Sequence, residues 1–101
     1  MIVIHASLLI DSAKADAAIS AAKDMMAESR KEPGCHAYTF TRDLYDPARF
    51  HIIEEWESDA ALSAHFKMPH MAKFQAVVPS LGVLEMKAEK FVVSSKGPLR
   101  P

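Results

Sequence analysis

A two-residue alternation opens the chain. Ile2, Ile4, Ala6, Leu8 and Ile10 fall on one side and Val3, His5, Ser7 and Leu9 on the other, which predicts a strand over 2–10. One face is wholly apolar and the other uncharged, so both are expected to be covered. His5 is then either a satisfied histidine at the sheet's edge or part of a cavity wall. The period becomes helical over about 13–31. There Ala15, Ala18, Ile19, Ala22, Met25 and Met26 form one stripe, and Asp11 or Ser12 can cap the first turn. Pro33 and Gly34 end that helix. Alternation returns over 35–42, with His36, Tyr38, Phe40 and Arg42 opposite Ala37, Thr39 and Thr41. It returns again over 50–57, with Phe50, Ile52, Glu54 and Trp56 opposite His51, Ile53 and Glu55. The polar stretch 43–49, containing Asp46-Pro47, reads as the turn of a hairpin.

At Ser58-Asp59 the pattern turns helical once more. Ser58 can accept a hydrogen bond from a first-turn N–H, and Ala61, Leu62, His65 and Phe66 recur at helical spacing, so a histidine sits beside the apolar stripe. Pro69 stops or kinks this helix and His70 follows at once. A further turn or two over 70–78 carries Met71, Phe74, Val77 and Val78, and Pro79 closes it. The last strand spans 84–93.

The order strand, helix, strand, strand, helix, strand predicts an α+β fold of the split βαβ, ferredoxin-like kind (βαββαβ). Its antiparallel four-stranded sheet carries the helices on one face. The other face is expected to show Val3, Leu9, Tyr38, Phe40 and Trp56, an apolar patch of a size that marks an interface or ligand site. One domain over 1–93 accounts for the pattern. Residues 94–101 read as a loose tail or an arm crossing to a partner.

Composition narrows the classes. Half of the 101 residues are apolar, enough for a core, and the net charge is −1 with acids and bases interspersed. No basic run marks a nucleic-acid footprint. A single cysteine, Cys35, excludes an intrachain disulfide and suits a reducing compartment. The apolar start is interrupted by His5 and Ser7, lacks a basic leader and is too short to span a bilayer, so a cytoplasmic protein without membrane attachment is expected.

Nucleotide-binding glycine loops, the G-x-S-x-G elbow and H-E-x-x-H are all missing. His65 and His70 lie five apart across a proline, the wrong spacing for one helical face to bind a metal, and His36 could meet only His51 across the hairpin. No metal site is expected. Cys35 follows a helix end, so no dipole lowers its pKa and it reads as an inert thiol. Glu54 reads as one half of an ion pair with Arg42 on the adjacent strand. Trp56 is either a core tryptophan or a ring that stacks on a flat aromatic ligand. His65 is either hydrogen-bonded inside the fold or a base of near-neutral pKa that can take a phenolic proton. His70, at a helix start where positive charge is disfavoured, suits an acceptor or second base.

The stretch E-x-W-E-S followed by A-H-F-x-x-P-H-M-x-x-F resembles the antibiotic biosynthesis monooxygenase (ABM) domains, including the small quinol-monooxygenase-like proteins. Glu32 to Asp43, E-P-G-C-x-x-Y-x-F-x-R-D, fits the same family, as does Asp46-Pro47 before Phe50. The resemblance covers roughly residues 2–92. It implies a homodimer whose two sheets pack into an α/β barrel, and a cofactor-independent oxygenase that uses molecular oxygen on a quinol or other hydroxylated aromatic metabolite. In that picture His65, helped by His70, is catalytic. Trp56, Tyr38 and Phe74 hold the ring, and His5, Glu54 and Leu62 complete the substrate wall. Some polyketide-oxidising members carry an asparagine where this chain has Ile52. Haem-degrading members use a first-strand asparagine and a proximal histidine in the second helical region; here the first strand has His5 and no histidine follows His70, so haem degradation is not implied. The same fold also serves isomerases of small oxygenated metabolites and non-catalytic binding or stress-protective dimers, which remain the alternatives.

Overall fold

The computed structural model describes residues 1–100. Strand β1 spans Ile2–Leu9, helix α1 Ala15–Ser29, β2 Cys35–Arg42, β3 Arg49–Trp56, α2 Asp59–Phe66, α3 Pro69–Val77 and β4 Glu85–Val92, with short 3-10 turns at Ser12–Lys14 and Val78–Leu81. All strands are antiparallel, in the order β2-β3-β1-β4. The α+β, ferredoxin-like reading of the sequence holds.

Each boundary follows from local chemistry. Asp11 Oδ1 accepts the Ala13 N–H at 3.0 Å and starts the 3-10 turn that runs into α1. Ser58 Oγ accepts the Ala61 N–H at 3.2 Å and starts α2. Pro69 begins a helix rather than merely ending one: it occupies the first turn of α3, where its missing N–H costs nothing. One expected helix with a trailing turn is therefore two helices meeting at Met68.

Residues opposite one another in an antiparallel ladder share a face. Trp56 lies opposite Ile2 and Cys35, Glu54 opposite Ile4 and Tyr38, and Ile52 opposite Ala6 and Phe40. That face meets the helices. Ile2, Ala6, Met25, Tyr38, Ile52, Trp56 and Leu62 form one core cluster, and Leu8, Ile10, Ala18, Phe50 and Leu81 a second. The expectation that Tyr38, Phe40 and Trp56 lie on the open face is thus corrected: all three turn inward, and Trp56 is fully buried. Ile53 and Phe91 take their place on the open face beside Val3 and Leu9. Phe91 lies opposite Val3 and Ile53 opposite His5.

Two further expectations are corrected by the register. Arg42 sits opposite Phe50, stacks over its ring at 5.6 Å and donates from Nε to the Pro47 carbonyl at 2.7 Å, so it does not pair with Glu54. His51 lies opposite Thr41, away from His36, which occupies the bulge between Cys35 and Ala37. Beyond β4, residues 93–100 form neither helix nor strand. Lys96 Nζ reaches Glu55 Oε1 at 3.1 Å. Pro101, the last residue of the expected tail, lies outside the described residues. No helix among the described residues is long and apolar enough to cross a membrane.

Candidate functional site

Three segments that no local pattern connects meet at one carboxylate. Past the end of α1 the chain makes tight turns: the Glu32 N–H donates to the Ser29 carbonyl at 3.0 Å and the Cys35 N–H to the Glu32 carbonyl at 3.2 Å. Gly34 permits them with φ +81°. These turns fold Glu32 back beneath the helices, where its side chain is only 5% exposed. His65, in the last turn of α2, places Nδ1 2.7 Å from Glu32 Oε2, and His70, in the first turn of α3, places Nε2 2.8 Å from the same oxygen. With Glu32 ionised, both contacts are N–H donations to a carboxylate. That choice fixes the tautomers and leaves the lone pairs on His65 Nε2 and His70 Nδ1. Glu32 Oε1 is buried and has no hydrogen-bond partner.

Aromatic rings enclose the inner histidine. The His65 ring centroid lies 4.7 Å from Trp56, 5.3 Å from Tyr38 and 5.8 Å from Phe66. Trp56 Nε1 donates to Glu54 Oε1 at 2.9 Å. Burial raises the Glu54 carboxyl above the usual range against the opposing effect of that hydrogen bond. Burial, and next the Glu54 carboxylate, push the Tyr38 phenol well above its usual value, so Tyr38 is not a ready acid at neutral pH. The Cys35 thiol is likewise raised, by burial first and then by Glu32.

Two neighbouring hollows share His70 in their walls. A cleft of about 220 Å³ between α1 and α3 is lined by Met25, Phe74 and Val77 together with the polar Asp24, Glu28, His70 and Lys73. A more open depression beside it is lined by Glu32, His70 and Lys73. Of the residues expected in the site, the structure brings His65, His70, Trp56 and Tyr38 into one cluster, with Leu62 and Glu54 packed in the same core. Phe74 joins it through Phe40 at 5.8 Å and lines the cleft with His70. His65 and Trp56 are core residues, 1% and 0% exposed. His5 is not brought there. It sits on the open sheet face, stacked on His51 at 5.6 Å, and His51 Nε2 in turn lies 3.3 Å from Asp43 Oδ2.

Glu32 is the residue that sequence reasoning gave no role. A signal for it exists: an acid just past a helix C-terminus faces the negative end of the dipole and needs compensation from elsewhere. The metal argument from spacing also changes. His65 and His70 do not share a helical face; they converge from two helices, with a third donor supplied by Glu32.

Comparison with known proteins agrees with this fold. The sequence model described as "Antibiotic biosynthesis monooxygenase" matches residues 1–77. An uncharacterized protein of Synechocystis is 31% identical over 80 residues, covering 79% of this chain and 54% of that protein. "Probable quinol monooxygenase YgiN" of Escherichia coli K12 is 39% identical over 64 residues, covering 55% of this chain and 61% of that one. The chain thus spans between about half and three-fifths of the curated relatives it matches. Among solved structures, a conserved Bacteroides thetaiotaomicron protein of unknown function superposes with TM-score 0.82 at 34% identity over 89% of this chain and 94% of that one. A Deinococcus radiodurans protein described as a candidate antibiotic biosynthesis monooxygenase gives 0.92 at 22% identity over the whole of both chains, a likeness of fold.

Proposed function

Since the chain belongs to the antibiotic biosynthesis monooxygenase family, we propose that it is a cofactor-independent monooxygenase of small hydroxylated aromatics, of the quinol class, acting as a cytoplasmic homodimer. The observation that carries this reading is the single buried carboxylate that orients two imidazoles, one enclosed by aromatic rings and one at the wall of a cleft. The cleft is below the usual ~300–1,000 Å³ of ligand pockets, which favours a one- or two-ring molecule. Met25, Phe74 and Val77 offer it an apolar wall, while Asp24, Glu28 and Lys73 give it a polar side of mixed charge.

Glu32 holds the Nε2–H of His70, so Nδ1 carries the lone pair that accepts a phenolic proton. His65 holds the same carboxylate from the interior and keeps it in place. The deprotonated quinol is electron-rich and is itself the reductant of molecular oxygen. One oxygen atom enters the ring and the other leaves as water: a hydroquinone and O₂ give a hydroxyquinone and H₂O, and no external electron donor is required.

Oxygen uptake with a naphthalene-type hydroquinone and no added cofactor, above the autoxidation background, tests this. His70→Ala should lower turnover by roughly 10²–10⁴-fold, the usual worth of a positioned base, and His65→Ala, which only loosens Glu32, should lower it less. Saturable binding of the quinol without oxygen uptake would replace the proposal with the isomerase or binding role.

A further inference from the structure

We propose that Glu32, His65 and His70 form a binding site for a divalent transition-metal ion of the zinc class, a site that excludes the base function while it is filled. Two imidazole nitrogens and a carboxylate are the donor set that suits zinc and its neighbours; magnesium and calcium prefer oxygen donors alone. The three donor atoms lie within 4.8 Å of one another. A tetrahedral ion with bonds of ~2.0–2.1 Å holds its ligand atoms roughly 3.3–3.4 Å apart. The two N···O separations, 2.7 and 2.8 Å, must therefore open by about half an ångström as the N–H donations are lost.

The site can make that adjustment from one side. His65 is locked by Trp56 and Tyr38, whereas the His70 side chain is 16% exposed and stands in the first turn of α3. The second, independent observation is Glu32 Oε1, which is buried and unpartnered. An orphaned carboxylate oxygen beside two imidazoles is the electron pair that an ion would use, through this oxygen alone or through both. The open depression lined by Glu32, His70 and Lys73 gives the ion a route in and leaves room for water to complete its coordination.

Tautomerism makes the two uses of the site exclusive. Donation to Glu32 needs hydrogens on His65 Nδ1 and His70 Nε2, and the metal needs lone pairs on those same atoms. Binding therefore transfers the hydrogens to His65 Nε2 and His70 Nδ1, removing the His70 Nδ1 lone pair that the oxygenase reading uses. Metal binding itself does not rest on that reading.

The test is titration of the purified full chain, stripped with chelator, with Zn²⁺ alone by calorimetry and by competition with a chromophoric chelator, and with Co²⁺ read by its visible absorption. One ion per chain and intense Co²⁺ bands of a four- or five-coordinate site are expected. Glu32→Gln preserves the shape of the carboxylate, and His70→Ala removes the more accessible of the two rings. Each should weaken binding by about 10–100-fold or more, with the fold checked by circular dichroism, while His51→Ala on the opposite sheet face changes nothing. The absence of saturable binding would overturn the proposal, as would full affinity in both site variants, or loss of binding in His51→Ala. Oxygen uptake in chelator is measured separately, so its failure bears on the oxygenase and not on the metal.

Discussion

Glu32 Oε2 and His65 Nδ1 lie 2.7 Å apart although 33 positions separate them, and both side chains are almost wholly buried. The pair fixes the end of α1 to the end of α2. Removing one partner strands the other in the core, which costs more than the net worth of a hydrogen bond. Glu32→Ala should therefore destabilise the protein by about 1–3 kcal/mol in denaturant unfolding. Glu32→Gln keeps an acceptor for one imidazole and should lose clearly less. Equal losses would mean that the side chain contributes packing alone.

Glu54 gives the stability a pH dependence of known sign. Its carboxyl is raised, chiefly by burial, so the folded state favours the protonated form. The resulting stabilisation is fully present below the unfolded pKa of ~4.3 and is lost as pH rises through the raised folded value. Glu54→Gln keeps an acceptor for Trp56 Nε1 and removes the titration. The melting temperature of the variant relative to wild type should climb between acidic and neutral pH. A constant difference across that range would show that Glu54 carries no such burden.

Gly34 is the turn on which the carboxylate depends. Its φ of +81° lies where only glycine is unstrained, and a Cβ added there would stand 2.8 Å from Ala61 Cβ on α2. Alanine has no rotamer with which to step aside, so α2 itself must shift. Gly34→Ala should cost more than the ~1–2 kcal/mol of a left-handed alanine and should displace His65 from Glu32. Gly97, with nothing within 4 Å of its added Cβ, is the control and should change stability by less than ~0.5 kcal/mol on substitution by alanine. Similar melting temperatures for the two variants would contradict this account of the turn.

The fold was legible because each strand and helix announces its own period. Ser58, Pro33 and Asp46-Pro47 mark boundaries that the structure places within a residue or two. Alternation states which residues share a face but not which face the helices cover. Phe50, Ile52, Glu54 and Trp56 group together at once, yet only the packing of α1 and α2 reveals that Trp56 and Tyr38 turn inward. The candidate site was half legible. His65 and His70 stand out as rare side chains beside an apolar stripe. Glu32 does not, because its partners are created by a tertiary contact that no local period encodes.

The inward turn of the aromatics changes the reason for expecting a dimer without removing it. The open sheet face keeps Val3 and Leu9 and adds Ile53 and Phe91, 46% and 48% exposed, around the His5–His51 stack. Exposed apolar groups interleaved with the His5–His51 stack and with Glu55, Lys87 and Glu89 form a mixed surface of the kind found at interfaces between folded chains. Val3 opposite Phe91 and His5 opposite Ile53 place these groups on adjacent strands. Sedimentation at micromolar concentration should give twice the chain mass. Ile53→Asp puts an unpaired charge in the middle of that patch while remaining solvent-facing in a single chain. It should shift the protein to the monomer mass and leave its circular dichroism folded. A wild-type protein that sediments as a monomer would sink the barrel arrangement, and an Ile53→Asp protein that still dimerises would move the interface to another surface.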